Sequence, residues 1–598
     1  MDFSNPGRAK PPRRRDDRVI LHFDYDCFYA QVIENQQPAL KALPLGIKQK
    51  GILATCNYEA RRRGVNKLMQ IFEAKKICPE LVLADGEDLS PFRDVSKRLY
   101  TLLRGYSWND KVERLGLDEV FMDVTDLVVY NVDLLNLHAL ESSFFYLSQD
   151  DPTQGFAFDA TSFAGCVHGT DSGPHDLHSE CDVLRMRLLV ASHLARHLRM
   201  KIEEEGYTSA CGISTAKSLA KLAGNKNKPQ NQTALLALQE SDVLPFMDEH
   251  GLRKVPGIGA KTTRILESYV TGIEISPNLH TMDCSVTAGQ VRTHPGMSPQ
   301  LMDRLFSGPG SERGLGAKVW GLLHGVDDTE VKAGADVPTQ ISIEDTYKGL
   351  NEMAEINAEL RKLSASLVRR MHVDLVEDSS VPHDGDTAGK RRWMAHPKTL
   401  RLSTAPKWSA SDGKPYMFGR SSRSQPLPSF VFSFAVSPEE IVERLVTETL
   451  LGMFSKLNPE PGGWNVGMIN VCVANMVPAG NETGVGSGRN IATMFRRQGD
   501  VLREFTVYDT SEPLGTGVER APQLRSQPGY DDLPLDDDLL YLTAPNAMDT
   551  DDAEAIDEDD AWEEGDGAST DGELCPLCDH LIPMFALAAH DRFHKETA

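Results

Sequence analysis

The sequence predicts an α+β protein of several domains, and three observations carry that expectation. At 598 residues the chain is longer than one hydrophobic core supports. Short apolar runs of strand length, such as Val19–Phe23, alternate with longer stretches of helical period, such as Asp182–Glu205. After Ala479 the core pattern stops and Gly, Ser, Asp and Glu dominate, so residues 479–572 read as a disordered tail. Hydrophobic content of 40% and charged content of 25% are those of an ordinary soluble chain, and no apolar run reaches the length of a membrane span. No membrane contact is expected.

Taken in order, residues 1–17 are polar and Arg-rich, with no signal-peptide core, and read as a disordered arm. Pro11-Pro-Arg-Arg-Arg15 suits a nuclear-localisation patch, although so short a run also suits a solvated terminus. Val19–Phe23 reads as a buried strand ending in Asp24 and Asp26, after which Cys27-Phe28-Tyr29 opens a helix. A carboxylate at the end of a buried strand is costly unless a cation faces it. Pro44–Lys50 and Gly51–Asn57 read as short strands, and a helix starts near Tyr58 and runs through Arg61-Arg62-Arg63. Another helix covers Pro91–Gly105. A hairpin then carries Asp118 and Glu119 at its turn.

Residues 126–182 break the apolar pattern and read as a loop insertion; His168, His175, His178 and Cys181 within it are too irregularly spaced for a metal site. Cys211–Ser214 reads as a strand and Thr215–Leu222 as the start of a helix. Val255-Pro-Gly-Ile-Gly-Ala260 joins two predicted helices. Gly257 and Gly259 let backbone amides approach a phosphate, with Lys261 in the following helical turn; the bland alternative is an ordinary helix–helix turn. Residues 337–478 alternate strands with helices over 342–373 and 438–458.

Three carboxylates on neighbouring strand ends, Asp24, Asp118 and Glu119, can hold two Mg²⁺ ions for an in-line phosphoryl displacement. Asp24-Tyr-Asp-Cys-Phe-Tyr-Ala-Gln-Val32 and Leu117-Asp-Glu-Val-Phe-Met-Asp-Val124 resemble the catalytic motifs of Y-family translesion DNA polymerases. Thr55–Arg61, Lys228-Pro229 and Val255–Thr262 match further motifs in the same order, and the resemblance covers residues 17–478. It implies a right-hand architecture. The palm would be 18–27 and 89–236, the fingers 28–88, the thumb 237–336 and a little finger 337–478. It also implies that Asp24, Asp118 and Glu119, with the Tyr25 carbonyl, hold Mg²⁺ (Mn²⁺ as the alternative), and that Tyr58, Arg61 and Lys228 contact the triphosphate. Tyr29 falls at the steric-gate position with Phe28 beside it. Gln49 and Lys50 would cover the templating base, a feature of one branch of the family; a rival branch favours a Ser-Ile-Asp-Glu motif where this chain has Gly116-Leu-Asp-Glu119. The substrates implied are primer–template DNA and deoxynucleoside triphosphates, in the nucleus.

The tail carries a second signal. Cys575, Cys578, His590 and His594 form Cys-x2-Cys-x11-His-x3-His, the spacing of a tetrahedral zinc site in a small ββα finger over 573–598. Ten scattered cysteines with this one close pair fit a reduced compartment. His580 is an alternative ligand. The segment resembles ubiquitin-binding fingers of the same polymerases, although Arg592 stands where an acidic residue is usual. Gly488–Arg497 loosely resembles a sliding-clamp peptide, with Ile491, Met494 and Phe495 as anchors. The net charge of −24 is concentrated in the acidic stretch Asp531–Asp566, while residues 361–423 are rich in Arg and Lys, so DNA binding depends on local field rather than the sum.

Overall fold

The computed structural model describes residues 12–169, 180–273, 286–308, 312–378, 391–407, 420–460 and 462–479, and the backbone of 572–574 and 581–583. In its N-terminal part the strands are β1 (Ile20–Tyr25), β2 (Leu45–Gln49), β3 (Ile52–Cys56), β4 (Val82–Asp85), β5 (Val112–Leu115), β6 (Glu119–Asp123), β7 (Ser143–Tyr146), β8 (Gly155–Phe158), β9 (Cys166–His168), β10 (Ser209–Ser214) and β11 (Gln232–Leu235). Six of them form one sheet in the order β5-β6-β1-β10-β11-β9, with β1 antiparallel to both neighbours.

Strand alternation decides what this sheet does. Val19, Leu21, Phe23 and Tyr25 enter the largest core with Val120, Met122 and the helix Glu180–Glu204. The intervening residues Ile20, His22 and Asp24, with Glu119 and Phe121 opposite, therefore share the other face. There the helix Lys217–Gly224 lies across β10. A Cβ on Gly212 would come 1.8 Å from the Ala220 carbonyl, so only glycine permits this approach. Ile20, Phe121, Ala220 and Val331 close that face with a small apolar cluster.

A separate sheet, β3-β2-β4, encloses its own core of Leu53, Cys56, Ala60, Val65, Ala74, Cys78 and Leu81. The helix Phe28–Gln36, expected to belong with it, instead packs Phe28, Ala30 and Val32 into the main core. Two further expectations are corrected. Residues 126–182 are not simply a loop: β7 and β8 pair, Phe145 stacks on Phe156 at 5.0 Å, and β9 joins the sheet edge parallel to β11. Turn-forming Ser, Asp and Gly hid strands only three or four residues long. Within that segment His175 and His178 lie outside the described residues, as does the side chain of Cys181. The arm 1–17 is pinned at its end, for Arg14 donates to the Ala237 carbonyl at 2.8 Å with its side chain 7% exposed. Residues 1–11 lie outside the described set.

Helices Glu240–Asp248, Ala260–Thr271, Pro299–Phe306 and Leu315–Leu323 surround a third core that includes Phe246, Leu266, Met302 and Trp320. A strap follows. Arg18 donates to the Asp327 and Thr329 carbonyls, and the Lys332 amide donates to Glu113, tying residues 327–332 along the first sheet. The C-terminal part contains β12 (Gln340–Leu350), β13 (Val376–Asp378), β14 (Arg391–Trp393), β15 (Ala395–Pro406), β16 (Ser421–Pro426) and β17 (Val466–Pro478). An antiparallel sheet, β12-β17-β15-β16, buries Ile341, Leu400, Leu402, Ile469 and Val471 against the helix Met353–Leu375 and the helical stretch from Pro438 to Leu457. Among the described residues no helix is long and apolar enough to cross a membrane.

Candidate active site

The register of β1 on β6 sets Asp24 directly opposite Glu119, and the Tyr25 amide donates to the Asp118 carbonyl at 2.8 Å. Asp24 is thus brought to the same strand end as the adjacent Asp118 and Glu119, which are distant from it in sequence. Each strand-end charge has a lysine. Lys228 Nζ lies 2.5 Å from Asp24 Oδ2, and Lys221 Nζ lies 2.6 Å from Glu119 Oε2. His22 Nε2 stands 3.8 Å from the other Glu119 oxygen. Burial alone would raise the Glu119 pKa; His22 and Lys221 outweigh it and hold the carboxyl down at about 2.

Asp118 differs. Its turn, where Gly116 has φ +67°, meets solvent, yet atoms crowded about the carboxyl, then the charges of Glu119 and Asp24, push it up to about 7. Because the turn is exposed, repulsion from the two neighbouring carboxylates is the cause its position supports most directly.

Lys221 was not singled out from the sequence, although Lys217-Ser-Leu-Ala-Lys221 holds the signal. Residues four apart share a helix face, and here both lysines face the sheet, Lys217 on Glu113 at 2.8 Å and Lys221 on Glu119. Asp26, the second acidic residue at the strand end, has a structural role. It is 3% exposed and accepts from the Gln230 amide at 2.9 Å and the Thr208 hydroxyl at 3.0 Å, with the Tyr58 hydroxyl 3.5 Å away. It thereby fastens the segment that carries Lys228.

The expected metal set is not assembled as a closed cage. Among the described residues no three His, Cys, Asp or Glu side chains form a metal-holding group. The cause is visible in Asp24 and Glu119, which are turned onto lysines. The donors still fit a hard divalent cation. They are carboxylate oxygens at one strand end, and Asp118 suffers like-charge repulsion that such an ion would relieve.

The other expected residues distribute around this point. The Tyr25 side chain is 1% exposed, so only its backbone can face the site. Phe28, expected in the nucleotide wall, is 3% exposed and packs against Tyr25, Tyr29 and Tyr207 in the core. Tyr29 is half-buried and stacks on Phe92 at 4.2 Å. The Arg61 guanidinium covers the Tyr58 ring at 4.7 Å and donates to the Cys56 carbonyl at 3.2 Å. The Gln49 amide donates to the Gly86 carbonyl at 2.7 Å, and Lys50 reaches Asp345 rather than standing free over a base.

Gly257 has φ +83°, a conformation that favours glycine, and Gly259 begins the helix Ala260–Thr271 with Lys261 exposed in its first turn. Of the basic residues expected to favour DNA, Arg361, Arg370, Arg392 and Arg420 pair with Glu443, Asp374, Glu377 and Glu344. That reduces the local positive field inferred from composition. Cys575, Cys578, His590, His594, the alternative ligand His580 and the 488–497 segment lie outside the described residues. The strands β18 (Gly572–Leu574) and β19 (Leu581–Pro583), which bracket the two cysteines in sequence, pair antiparallel.

Comparison with known proteins extends these observations. The model of the impB/mucB/samB family matches residues 23–225, and that of the impB/mucB/samB family C-terminal domain matches 338–484, together more than half of the chain. DNA polymerase iota of Homo sapiens is 31% identical over 469 residues, covering 78% of this chain and 53% of that protein. DNA polymerase iota of Drosophila melanogaster is 33% identical over 64% of this chain and 44% of that protein. The Mus musculus protein of the same name is 33% identical over 63% and 45%. The chain thus spans about half the length of these curated relatives.

Proposed function

The chain belongs to the impB/mucB/samB family, the Y-family polymerase domains, and on that premise we propose that it is a template-directed, low-fidelity DNA polymerase for translesion synthesis. The observation that carries the reading is the β1–β6 register, which sets Asp24, Asp118 and Glu119 at one strand end beside Lys228. Asp24, Asp118, Glu119 and the Tyr25 carbonyl would hold Mg²⁺ (or Mn²⁺), which when bound would supply charge to the triphosphate and lower the pKa of the primer 3′-hydroxyl.

The protein's own groups act by position. Lys228, fastened through Asp26, and Arg61, propped on Tyr58, bind phosphate oxygens; the Tyr58 hydroxyl adds a neutral donor. Tyr29, held flat on Phe92, excludes a 2′-hydroxyl, and Phe28 supports that wall from behind. Gly257, Gly259 and Lys261 meet the DNA backbone at a helix N-terminus.

The six-stranded sheet is assigned as the palm, β2–β4 as fingers, residues 237–336 as thumb and 337–478 as little finger. Gln49 and Lys50 narrow the templating site as in the iota branch, driving a template purine toward syn; the eta branch is the alternative. The β18–β19 hairpin, with Cys575 and Cys578 between its strands in sequence, supports a zinc finger that would bind ubiquitin on a modified sliding clamp, with 488–497 as a clamp peptide and the nucleus as the compartment. A catalytically idle scaffold and a deoxycytidyl transferase are the rivals. The intact Asp24, Asp118, Glu119 and Lys228 argue against the first.

Single-nucleotide insertion opposite each of the four template bases tests the assignment. Accurate copying of template A with frequent misinsertion opposite T is expected. Equal, modest fidelity at all four would remove the iota-type roof, and insertion of dC whatever the template would favour the transferase.

A further inference from the structure

Lys50 and Gly51 form the two-residue turn between β2 and β3, for Gln49 pairs with Ile52. Lys50 has φ +50°, the left-handed backbone such a turn requires. Its ammonium is not directed at its own sheet. It lies 2.7 Å from Asp345 Oδ1, 295 residues away, and 2.9 Å from the Thr346 hydroxyl, both on β12. The Lys50 amide donates to Glu87 Oε1 at 3.2 Å, while the neighbouring Gln49 is held by the Gly86 carbonyl. The tip of the small sheet is therefore gripped on one side by its own loop and on the other by the C-terminal sheet.

Asp345 is built into this position. It continues the face of β12 that carries Ile341 and Ile343, and its second oxygen lies 3.4 Å from Lys362 Nζ on the helix Met353–Leu375. With Lys362 beside it, Asp345 keeps a counter-charge when Lys50 is removed, so the C-terminal sheet does not depend on the contact.

We propose that Asp345 is a specificity-determining positioning residue: by gripping the Lys50 ammonium it fixes the Gln49-Lys50 turn over the templating base, although Asp345 itself meets no substrate. This rests on the reading of Gln49-Lys50 as the roof of the templating site. Asp345 acts through Lys50, so the two residues belong to one energetic unit. The ion pair is partly exposed, 59% at Lys50 and 24% at Asp345, so its effect is modest and falls with salt.

The full chain is tested as wild type, Lys50→Ala, Asp345→Asn and the double variant of the two. The readout is the ratio of correct insertion opposite template A to that opposite template T. Asp345→Asn is expected to move this ratio by about two- to fivefold, the size an exposed ion pair supports, in the same direction as Lys50→Ala. The double variant moves it no further. A shift with Lys50→Ala but none with Asp345→Asn overturns the inference and leaves the roof intact. No shift with either removes the roof reading and the inference with it.

A second measurement is independent of activity. Amide exchange at Lys50–Ile52 in the DNA-free chain is expected to quicken by about threefold in Asp345→Asn at low salt and to match wild type at high salt. Unchanged exchange at low salt overturns the grip whatever the insertion assay gives.

Discussion

The two main sheets handle charge in opposite ways. In the six-stranded sheet, Asp24 and Glu119 share a face with buried Ile20, His22 and Phe121; the covering helix supplies Lys221 to Glu119, and Lys228 beyond it meets Asp24. In the C-terminal sheet, one face is largely apolar and the other is polar and more open, with Arg401, whose Nε donates to Ser424 at 3.3 Å. A charge sheltered from water is felt strongly by its neighbours, whereas an exposed one is diluted by solvent and ions. Single substitutions should therefore act strongly at the first sheet, and weakly at the solvent-facing side of the second.

The sharpest contrast comes from the first sheet. Asp24→Asn is expected to lower nucleotide incorporation by about 10³-fold or more, measured by rapid-quench primer extension, because the site loses one of the carboxylates that would hold the divalent ion. Lys228→Ala removes one charge-assisted phosphate contact and frees Asp24. A fall of about 10- to 100-fold in kcat/KM for the nucleotide is expected, mostly through KM. If both losses were no larger than those of surface arginines, the contrast between the sheets would fail.

Stability supplies the next test. Lys221→Met leaves Glu119 facing only His22, and Tm at pH 7 is expected to fall by about 2–4 °C in thermal denaturation. The pH dependence has a definite sign. Glu119 has its pKa lowered on folding, from 4.5 to about 2, so its contribution is present above pH 4.5 and is lost as pH falls through about 2. Wild type should lose its advantage over Lys221→Met across that window, and a gap that widened on acidification would contradict the pairing. At the other end, Arg401→Ala is expected to weaken DNA binding by about two- to threefold for every sequence tested, with a salt slope shallower by about one.

Local patterns made much of this fold legible. The apolar run into Asp24, the hairpin at Asp118-Glu119, the helix Glu180–Glu204 and the strands flanking Lys50 all lie where periodicity put them. An acidic strand end signals a nearby cation, and Lys228 faces Asp24 there. Hidden features depend on partners remote in sequence. Asp26 fastens Gln230, Lys50 reaches Asp345, and Arg14 finds the Ala237 carbonyl, none of which leaves a local period. Phe28 shows a subtler limit: an aromatic in a catalytic motif and an aromatic in a core read alike until burial separates them. The short strands β7 to β9 were hidden by their turns, too brief for alternation to register.

The most direct measurement is single-nucleotide primer extension by the full chain with Mg²⁺ or Mn²⁺, beside Asp118→Ala. Extension by wild type that needs the divalent ion and disappears in Asp118→Ala is the predicted result. Extension that survives Asp118→Ala, or none by wild type with either metal, would contradict the assignment of this strand end as the catalytic centre.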